Sequence, residues 1–235
     1  MIPFSADRPA GRPWVTYCLL LLLLALHGVF IVSKVPPDSV FLGSGVVPAR
    51  LSSIESWRLV GFFGQVVPLF TYSWCHDGWL HLLGNLWWLA LFGMGVELHV
   101  GTARYIGCWL LLGLMAGIAH VIANAHSVMP LVGASGCVVG LMGMYQRLFP
   151  HGKVRVLIPF AMPFVLRIRA IYFVVFWVLF QFGLAMYPTA HGEPVAWWAH
   201  LGGLVCGLIL GQVFHETAPE LDSSQMGGGT RKAID

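Results

Sequence analysis

The sequence predicts an all-α protein that crosses a membrane several times. Of its 235 residues, 57% are hydrophobic and 10% are charged, whereas soluble domains carry about 25% charged residues. The mean hydropathy is +0.77, and long apolar runs recur along the chain. These features exclude an ordinary soluble domain. The net charge of +3 is too small and too scattered to indicate nucleic-acid binding.

Six apolar runs predict a bundle of six membrane-spanning helices. They cover residues 13–32, 79–98, 105–125, 135–149, 170–187 and 195–214. The first run is longer than the roughly 7–15 apolar residues of a signal peptide, so we interpret it as a retained span. We therefore expect a short polar N-terminus (residues 1–12), one membrane domain (residues 13–214) and a flexible polar tail (residues 215–235).

The connection between the first two spans, residues 34–78, is unusual for a loop. It is rich in aromatic residues and prolines and poor in charge. Aromatic side chains concentrate where the bilayer meets water. We therefore expect a first loop that is partly embedded in the membrane, with Trp57 and Arg58 as an interfacial anchor.

The basic residues predict which way the bundle faces. Six spans place both termini on one side, and ten of the 13 Lys and Arg residues then lie in the segments on that side. Because such residues collect in cytoplasmic segments, we expect cytoplasmic N- and C-termini.

A Gly-x-Ser-Gly turn at residues 133–136 opens the fourth run, with Ser135 at its centre. A serine in the first turn of a helix lies beside unpaired backbone N–H groups. Those groups could stabilise an oxyanion that forms at the serine. Serine is also a common helix cap, so this stretch alone does not decide between catalysis and capping.

Polar residues of two other spans are predicted to lie at the depth of Ser135. The fourth run is short, which puts Ser135 about 9 Å below the outer edge of the hydrocarbon core. His200 is five residues into the sixth run, about 8 Å deep. His81 and Asn85 share one helix face because they are four residues apart, and they enter from the same side.

Glycine stripes indicate that the fourth and sixth spans touch. Gly136, Gly140 and Gly143 lie beside Ser135, and Gly203, Gly207 and Gly211 follow His200 on one face. Small residues at this spacing let helix backbones approach closely in lipid. The glycines could serve packing alone, but they would still hold Ser135 within reach of His200.

This arrangement predicts a serine nucleophile with a histidine base. His200 would take the Ser135 proton during attack and return it to the leaving amine. The sixth span holds no Asp or Glu, so we expect a dyad. Asn85, His81 and the backbone N–H of Ser135 are the candidate oxyanion donors. His81 and Asn85 could instead form an interhelical hydrogen-bond pair that fixes packing.

Several short pieces of the sequence together resemble the rhomboid family of intramembrane serine proteases. They are W-R at 57–58, H-L-L-G-N at 81–85, F-G-M-G-V-E at 92–97, G-A-S-G at 133–136 and A-H-L-G-G-L-V-C-G at 199–207. Each piece is weak alone, but their order, spacing and shared membrane depth make the set specific. Two longer pieces, L-F-P at 148–150 and V-A-W-W-A-H-L-G-G at 195–203, resemble the bacterial branch.

The resemblance implies a six-helix rhomboid-like core with a cavity open to the outer side. Ser135 would be the nucleophile, His200 the base, and His81 and Asn85 the oxyanion donors. Gly133, Gly136, Gly203 and Gly207 would support them. The resemblance also implies cleavage of transmembrane protein substrates without a metal or cofactor, in the inner membrane of a bacterium. His76 and Glu97 match family positions that we interpret as structural.

Aromatic residues near the fifth helix are candidates for a gate that admits substrate. The candidates are Trp177, Phe180, Phe182, Trp197 and Trp198, and each could equally be packing at the membrane interface. One position departs from the family pattern. Some relatives carry a tyrosine that stacks on the catalytic histidine, where this chain has Val139. Whatever orients the His200 ring must therefore come from elsewhere.

Three other functions are less well supported. A catalytically dead relative that binds membrane clients would lack the Ser135–His200 pair. A transporter or channel would carry charged residues along its spans, and these spans hold no Asp, Lys or Arg except Arg147 at the end of the fourth. A zinc protease needs a second histidine after His215-Glu216, where the chain has Pro219.

Overall fold

The computed structural model describes residues 1–158, 164–186 and 196–217. In chain order they form β1 (Ile2–Ala6), α1 (Trp14–Ser33), α2 (Pro37–Ser44), α3 (Pro48–Leu51), α4 (Ile54–Val66), α5 (Pro68–Thr71), a 3₁₀ turn (Tyr72–Trp74), α6 (Trp79–Trp88), a π-helical turn (Leu89–Gly93), α7 (Met94–Val100), α8 (Thr102–Ala123), α9 (Ser135–Leu148), β2 (Lys153–Ile158), β3 (Phe164–Arg169), α10 (Ala170–Met186) and α11 (Trp197–Thr217). Helices thus lie in all six predicted apolar runs.

Four stretches of helix are long and apolar enough to cross a bilayer. They are Trp14–Ser33, Trp79–Val100, Thr102–Ala123 and Trp197–Glu216. The protein is therefore an integral, mostly helical membrane protein. α9 has 14 residues and α10 has 17, so a crossing by these two shorter helices stays a prediction. Residue 187 of the fifth run, residue 195 of the sixth, and residues 218–235 of the expected tail lie outside the described residues.

One end of the bundle carries a three-stranded sheet in the order β1-β2-β3. Val154 in β2 pairs with Ala6 in β1 and with Ile168 in β3. The all-α prediction missed this sheet because we interpreted residues 147–169 only as a basic connection. The signal is present in β2, where Val154, Val156 and Ile158 alternate with less buried residues, as in a half-buried strand.

The buried carboxylate of Glu97 joins the second span to the first at this same end. It accepts hydrogen bonds from the backbone N–H groups of Val15 (2.9 Å) and Thr16 (2.7 Å) and from the Thr16 hydroxyl (2.7 Å). The first N–H groups of a helix have no partner within it, so Glu97 caps α1. The expected structural bracing by Glu97 therefore involves a neighbouring helix.

The first loop lies at the opposite end and is built from short helices rather than irregular chain. Val46 pairs with Leu131 in an isolated bridge, which ties this loop to the segment before Ser135. Several apolar side chains point away from the protein, including Leu59 and Phe63, which are 77% and 78% exposed. Such side chains suit a loop that lies in the membrane interface.

α9 is the centre of the core. All but two of its 14 residues are buried, and α8 and α11 pack against it. A helix that is buried on every side holds its N-terminal residue in a fixed place. That residue is Ser135.

Candidate active site

A glycine turn sets the direction of the chain into α9. Gly133 has φ +111°, a conformation that favours glycine. A Cβ at Gly133 would also lie 2.6 Å from His81 Nε2, so the close approach of the histidine requires glycine as well. The Gly133 N–H donates to the Tyr72 carbonyl at 2.9 Å. These contacts fix the path of the chain before α9, so that Ser135 is the first residue of the helix.

The structure brings Ser135 and His200 into hydrogen-bond contact. The Ser135 Oγ lies 2.8 Å from His200 Nε2, within the reach that a general base needs. Ser135 is partly buried and His200 is 8% exposed. The two residues are 65 positions apart in sequence, so their meeting depends entirely on how α9 and α11 pack.

Glycines on both helices permit that packing. A Cβ at Gly203 would overlap the Gly136 carbonyl oxygen, and a Cβ at Gly207 would overlap the Gly140 carbonyl oxygen. Helix backbones in contact at this distance are typical of small-residue seams in membranes. We call the contact between these glycines the glycine seam. It begins one turn beyond His200 and fixes α11 against α9.

Asn85 offers a free donor to the same site. Asn85 is 6% exposed, and its Nδ2 has no hydrogen-bond partner among the described residues. The same atom lies 3.7 Å from the Cβ position at Gly133. A buried amide donor without a partner is costly, and an oxyanion at Ser135 would supply the missing acceptor.

His81 lies beside Asn85 but is already engaged. Its Nδ1 lies 2.5 Å from the Asp77 carboxylate, four residues earlier. Because the carboxylate accepts the Nδ1 proton, His81 Nε2 can donate to an oxyanion only when both ring nitrogens carry protons. Sequence reasoning missed Asp77, although the spacing of Asp77 and His81 on adjacent turns was readable.

His76 supports the turn rather than the reacting atoms. Its Nε2 accepts from the Ala134 N–H at 3.4 Å, and its ring centroid lies 5.1 Å from that of His81. Burial, with a smaller contribution from His81, lowers the pKa of His76 to about 3. The ring therefore stays neutral and remains an acceptor at physiological pH.

Two cavities meet at Ser135. The inner one, about 250 Å³, is mainly apolar and includes Asn85, Val139 and Trp177. The outer one, about 400 Å³, reaches Asp77, His120, Asn124 and Ser127. Both are lined by His81, Ser135, Gln181 and His200. The candidate dyad thus lies between an apolar space and a polar one.

The gate candidates occupy different places. Trp177 lines the inner cavity, and its ring centroid lies 5.7 Å from that of His200. Phe182 on α10 contacts Trp197 on α11, with centroids 5.7 Å apart. Phe180 and Trp198 are about half exposed, without contact to the dyad. Sequence reasoning also missed Gln181, although it is the only amide in the apolar run of α10.

No group of three or more metal-binding side chains occurs among the residues that the structure describes. His81 and Asp77 pair with each other. The functional groups that line the two cavities at Ser135 are hydroxyls, imidazoles, side-chain amides and the Asp77 carboxylate.

A family model described as "Rhomboid domain" matches residues 63–217, which is more than half of the chain. The chain belongs to the rhomboid family. The match contains Ser135, His200, His81 and Asn85, and the rhomboid family is one of intramembrane proteases.

Curated rhomboid relatives are 24–29% identical to this chain over the aligned residues. "Rhomboid-related protein 2" of Mus musculus is 29% identical over 216 residues, which cover 82% of this chain and 62% of the relative. "RHOMBOID-like protein 5" of Arabidopsis thaliana is 24% identical over 177 residues, covering 75% and 52%. "Rhomboid-like protease 5" of Toxoplasma gondii is 28% identical over 150 residues, covering 63% and 16%. The chain spans about half the length of several of these relatives.

Proposed function

We propose that this rhomboid protein is a serine endopeptidase that cleaves other membrane proteins in or near their transmembrane segments. The observation that carries the proposal is the 2.8 Å contact between Ser135 Oγ and His200 Nε2. The contact lies at the first turn of a helix, and within the described part of the chain it is bordered by buried donors that lack partners. Such a combination suits nucleophilic attack better than packing alone.

Acylation would use the two atoms that form this contact, Ser135 Oγ and His200 Nε2. His200 Nε2 takes the Ser135 proton while Oγ attacks the carbonyl carbon of the scissile peptide. The resulting oxyanion accepts hydrogen bonds from Asn85 Nδ2, the Ser135 backbone N–H and, when doubly protonated, His81. The C–N bond then breaks, and His200 returns its proton to the leaving amine. An ester between Oγ and the acyl group remains.

Deacylation would reverse these roles with water. Water enters through the outer, polar cavity, and His200 accepts its proton as the hydroxide attacks the ester. The second oxyanion occupies the same donors. Collapse releases the carboxylate product and returns the proton to Ser135. The substrate backbone would lie in the inner, apolar cavity beside Val139.

The proposal includes an arrangement in the membrane. Residues 13–214 would form one six-span domain, with both termini cytoplasmic and the site open to the opposite side. Pairing of β1 with β2 supports this, because residues 1–12 and 147–158 then share one side. The bridge between Val46 and Leu131 joins the first loop to the segment before Ser135, which supports placing both of these connections on the opposite side. Relatives come from eukaryotes and from a bacterium, so an inner bacterial membrane rests on the sequence resemblance.

The test is cleavage of a transmembrane reporter in liposomes by wild type, Ser135→Ala and His200→Ala. We expect each variant to lose at least about 10³-fold in kcat, as when a catalytic serine or histidine is removed elsewhere. Ser127→Ala is the matched control, because Ser127 lines the outer cavity without touching the dyad. It should cleave like wild type.

A serine-directed fluorophosphonate separates the remaining outcomes. Labelling of wild type and of Ser127→Ala, but not of Ser135→Ala, supports an active serine even if the reporter is not a substrate. Cleavage that persists in Ser135→Ala would show that Ser135 is not the nucleophile. Failure of folded wild type both to cleave and to become labelled would favour a client-binding relative without activity.

A further inference from the structure

The second nitrogen of His200 has no assigned partner. When Nε2 accepts the Ser135 proton, the neutral ring carries its own proton on Nδ1, which is then a donor. His200 Nδ1 is buried and lacks a hydrogen-bond partner among the described residues. In a serine–histidine mechanism an acceptor at this nitrogen fixes the tautomer and stabilises the imidazolium.

α10 is one of the helices that face the His200 ring. Trp177 on α10 packs on the imidazole, with the ring planes tilted by 51°. Val139, where some relatives have a stacking tyrosine, also lines this cavity and offers only a small apolar surface. Contact with the open side of the ring therefore comes from α10.

Gln181 is one helical turn beyond Trp177, and residues four apart share a helix face. Gln181 lines both cavities together with His200 and Ser135. Its side-chain Oε1 is buried and, among the described residues, has no hydrogen-bond partner. An acceptor and a donor, each buried and unpaired, thus border the same space.

We propose that Gln181 is a positioning residue for His200, whose Nδ1–H donates to Gln181 Oε1 in the working enzyme. No hydrogen bond joins the two atoms in this structure, and the torsions of the Gln181 side chain supply the adjustment. Trp177 limits the tilt of the ring while Gln181 fixes its rotation, with Nε2 directed at Ser135. The inference rests on the proposed function, because it assigns the third member of that site.

Other groups near His200 do not offer the same contact. The titratable side chains that face it are His81 from α6, His120 from α8 and Asp77 from the loop before α6. Asp77 is paired with His81, and His120 lies near the Asn124 amide. Gln181 is uncharged, so its Oε1 can accept a hydrogen bond from the Nδ1–H group at any pH.

Two substitutions test the role. Gln181→Met keeps the length of the side chain and removes the acceptor, whereas Gln181→Glu strengthens it. In Gln181→Met we expect kcat to fall about tenfold, the size of one hydrogen bond to a charged group, with KM within about twofold. The acid limb of the pH–kcat profile should move to lower pH, because imidazolium loses its acceptor.

Gln181→Glu should keep kcat within a few-fold of wild type and move the acid limb to higher pH, because a carboxylate stabilises imidazolium better than an amide does. Leu179→Ala is the control for α10, since Leu179 is 64% exposed and lines neither cavity. A Gln181→Met enzyme with wild-type kcat and acid limb would overturn the inference. A rise in KM alone would make Gln181 a substrate contact instead.

A readout that needs no activity keeps this test separate from the proposed function. In folded Ser135→Ala protein with ¹⁵N-labelled histidine, we expect a protonated, hydrogen-bonded Nδ1 at His200 whose resonance shifts on Gln181→Met and Gln181→Glu. No shift in either variant overturns the positioning role. If Gln181→Met does not fold, the Gln181→Glu spectrum alone decides. Lack of Ser135-dependent labelling in wild type would instead defeat the proposed function.

Discussion

α9 and α10 both line the cavity at Ser135, but they are packed in opposite ways. α9 is buried on all sides and meets α11 through the glycine seam. α10 turns a broad apolar face outward, where Tyr172 and Leu179 are 65% and 64% exposed. Ser135, the proposed nucleophile, therefore belongs to the fixed wall of the site, and Trp177 and Gln181 belong to the open wall.

The comparison teaches where precision is needed. Attack requires Ser135 and His200 to stay within a fraction of an ångström of their contact distance, so close backbone packing holds them. On the proposed function a transmembrane substrate would enter from lipid, so the opposite wall would need a helix with few tight contacts. On this basis perturbations of the fixed wall should cost more than equal perturbations of the open wall.

The largest effect should come from a side chain in the glycine seam. A Cβ at Gly207 would overlap a backbone oxygen of α9, whereas none of the described residues lies within 4 Å of a Cβ at Gly183 on α10. Gly207→Ala should separate α11 from α9, lower the stability by about 1–3 kcal/mol and abolish cleavage. Gly183→Ala should leave both unchanged or raise the stability slightly. Thermal unfolding in detergent and reporter cleavage test both, and equal tolerance would refute the comparison.

The next effect concerns the donor that α6 presents to the fixed wall. Asn85→Ala should lower kcat by about 10²-fold without a matching change in KM, because the amide would act on the oxyanion rather than on the substrate. Asn124→Ala is the control, since Asn124 lines the outer cavity and bonds the His120 carbonyl. A loss in Asn85→Ala that appears only in thermal stability would indicate a packing role.

A pH effect should arise at His76, which braces the turn before Ser135. Because its pKa is about 3 when folded and about 6.5 when unfolded, His76 binds a proton more readily in the unfolded chain. His76 therefore does not lower the free energy of unfolding above about pH 6.5. As the pH falls towards 3, the free energy of unfolding decreases, by about 2 kcal/mol at pH 5. His76→Gln, which cannot titrate, should flatten the fall of Tm between pH 7 and pH 5. Parallel pH curves for the two proteins would contradict this account.

The smallest effect should lie on the open wall. Phe182→Ala removes the contact with Trp197 that links α10 to α11. We expect the stability to change by less than about 0.5 kcal/mol and the cleavage of a transmembrane reporter to change a few-fold. Cleavage of a short soluble peptide should not change. Equal changes for both substrates would argue against a role in substrate entry.

Much of this fold could be predicted from local composition. Each of the six apolar runs contains helix, and the spacing of Gly203 and Gly207 predicted the close packing of α11 with α9. Ser135 and His200 were placed at one depth by counting residues from each end of their runs. These features depend on helix periodicity and bilayer thickness, which the sequence encodes directly.

Other features depend on contacts between distant segments. β1 pairs with a strand about 150 residues later, and no local pattern in residues 2–6 names that partner. Gln181 was missed because its importance comes from the neighbours that packing gives it. The aromatic run of α10 also gave no indication that Trp177, rather than Phe180 or Phe182, would face His200.

The Glu97 cap has a consequence for biogenesis. The first span leaves the ribosome long before residue 97, yet the N–H groups of Val15 and Thr16 find their acceptor in that carboxylate. During synthesis the first turn of α1 therefore lacks this hydrogen-bond acceptor until the second span has been inserted. The capping contact of α1 can form only after the segment that contains Glu97 has been translated, so the two spans are joined in the order of their synthesis.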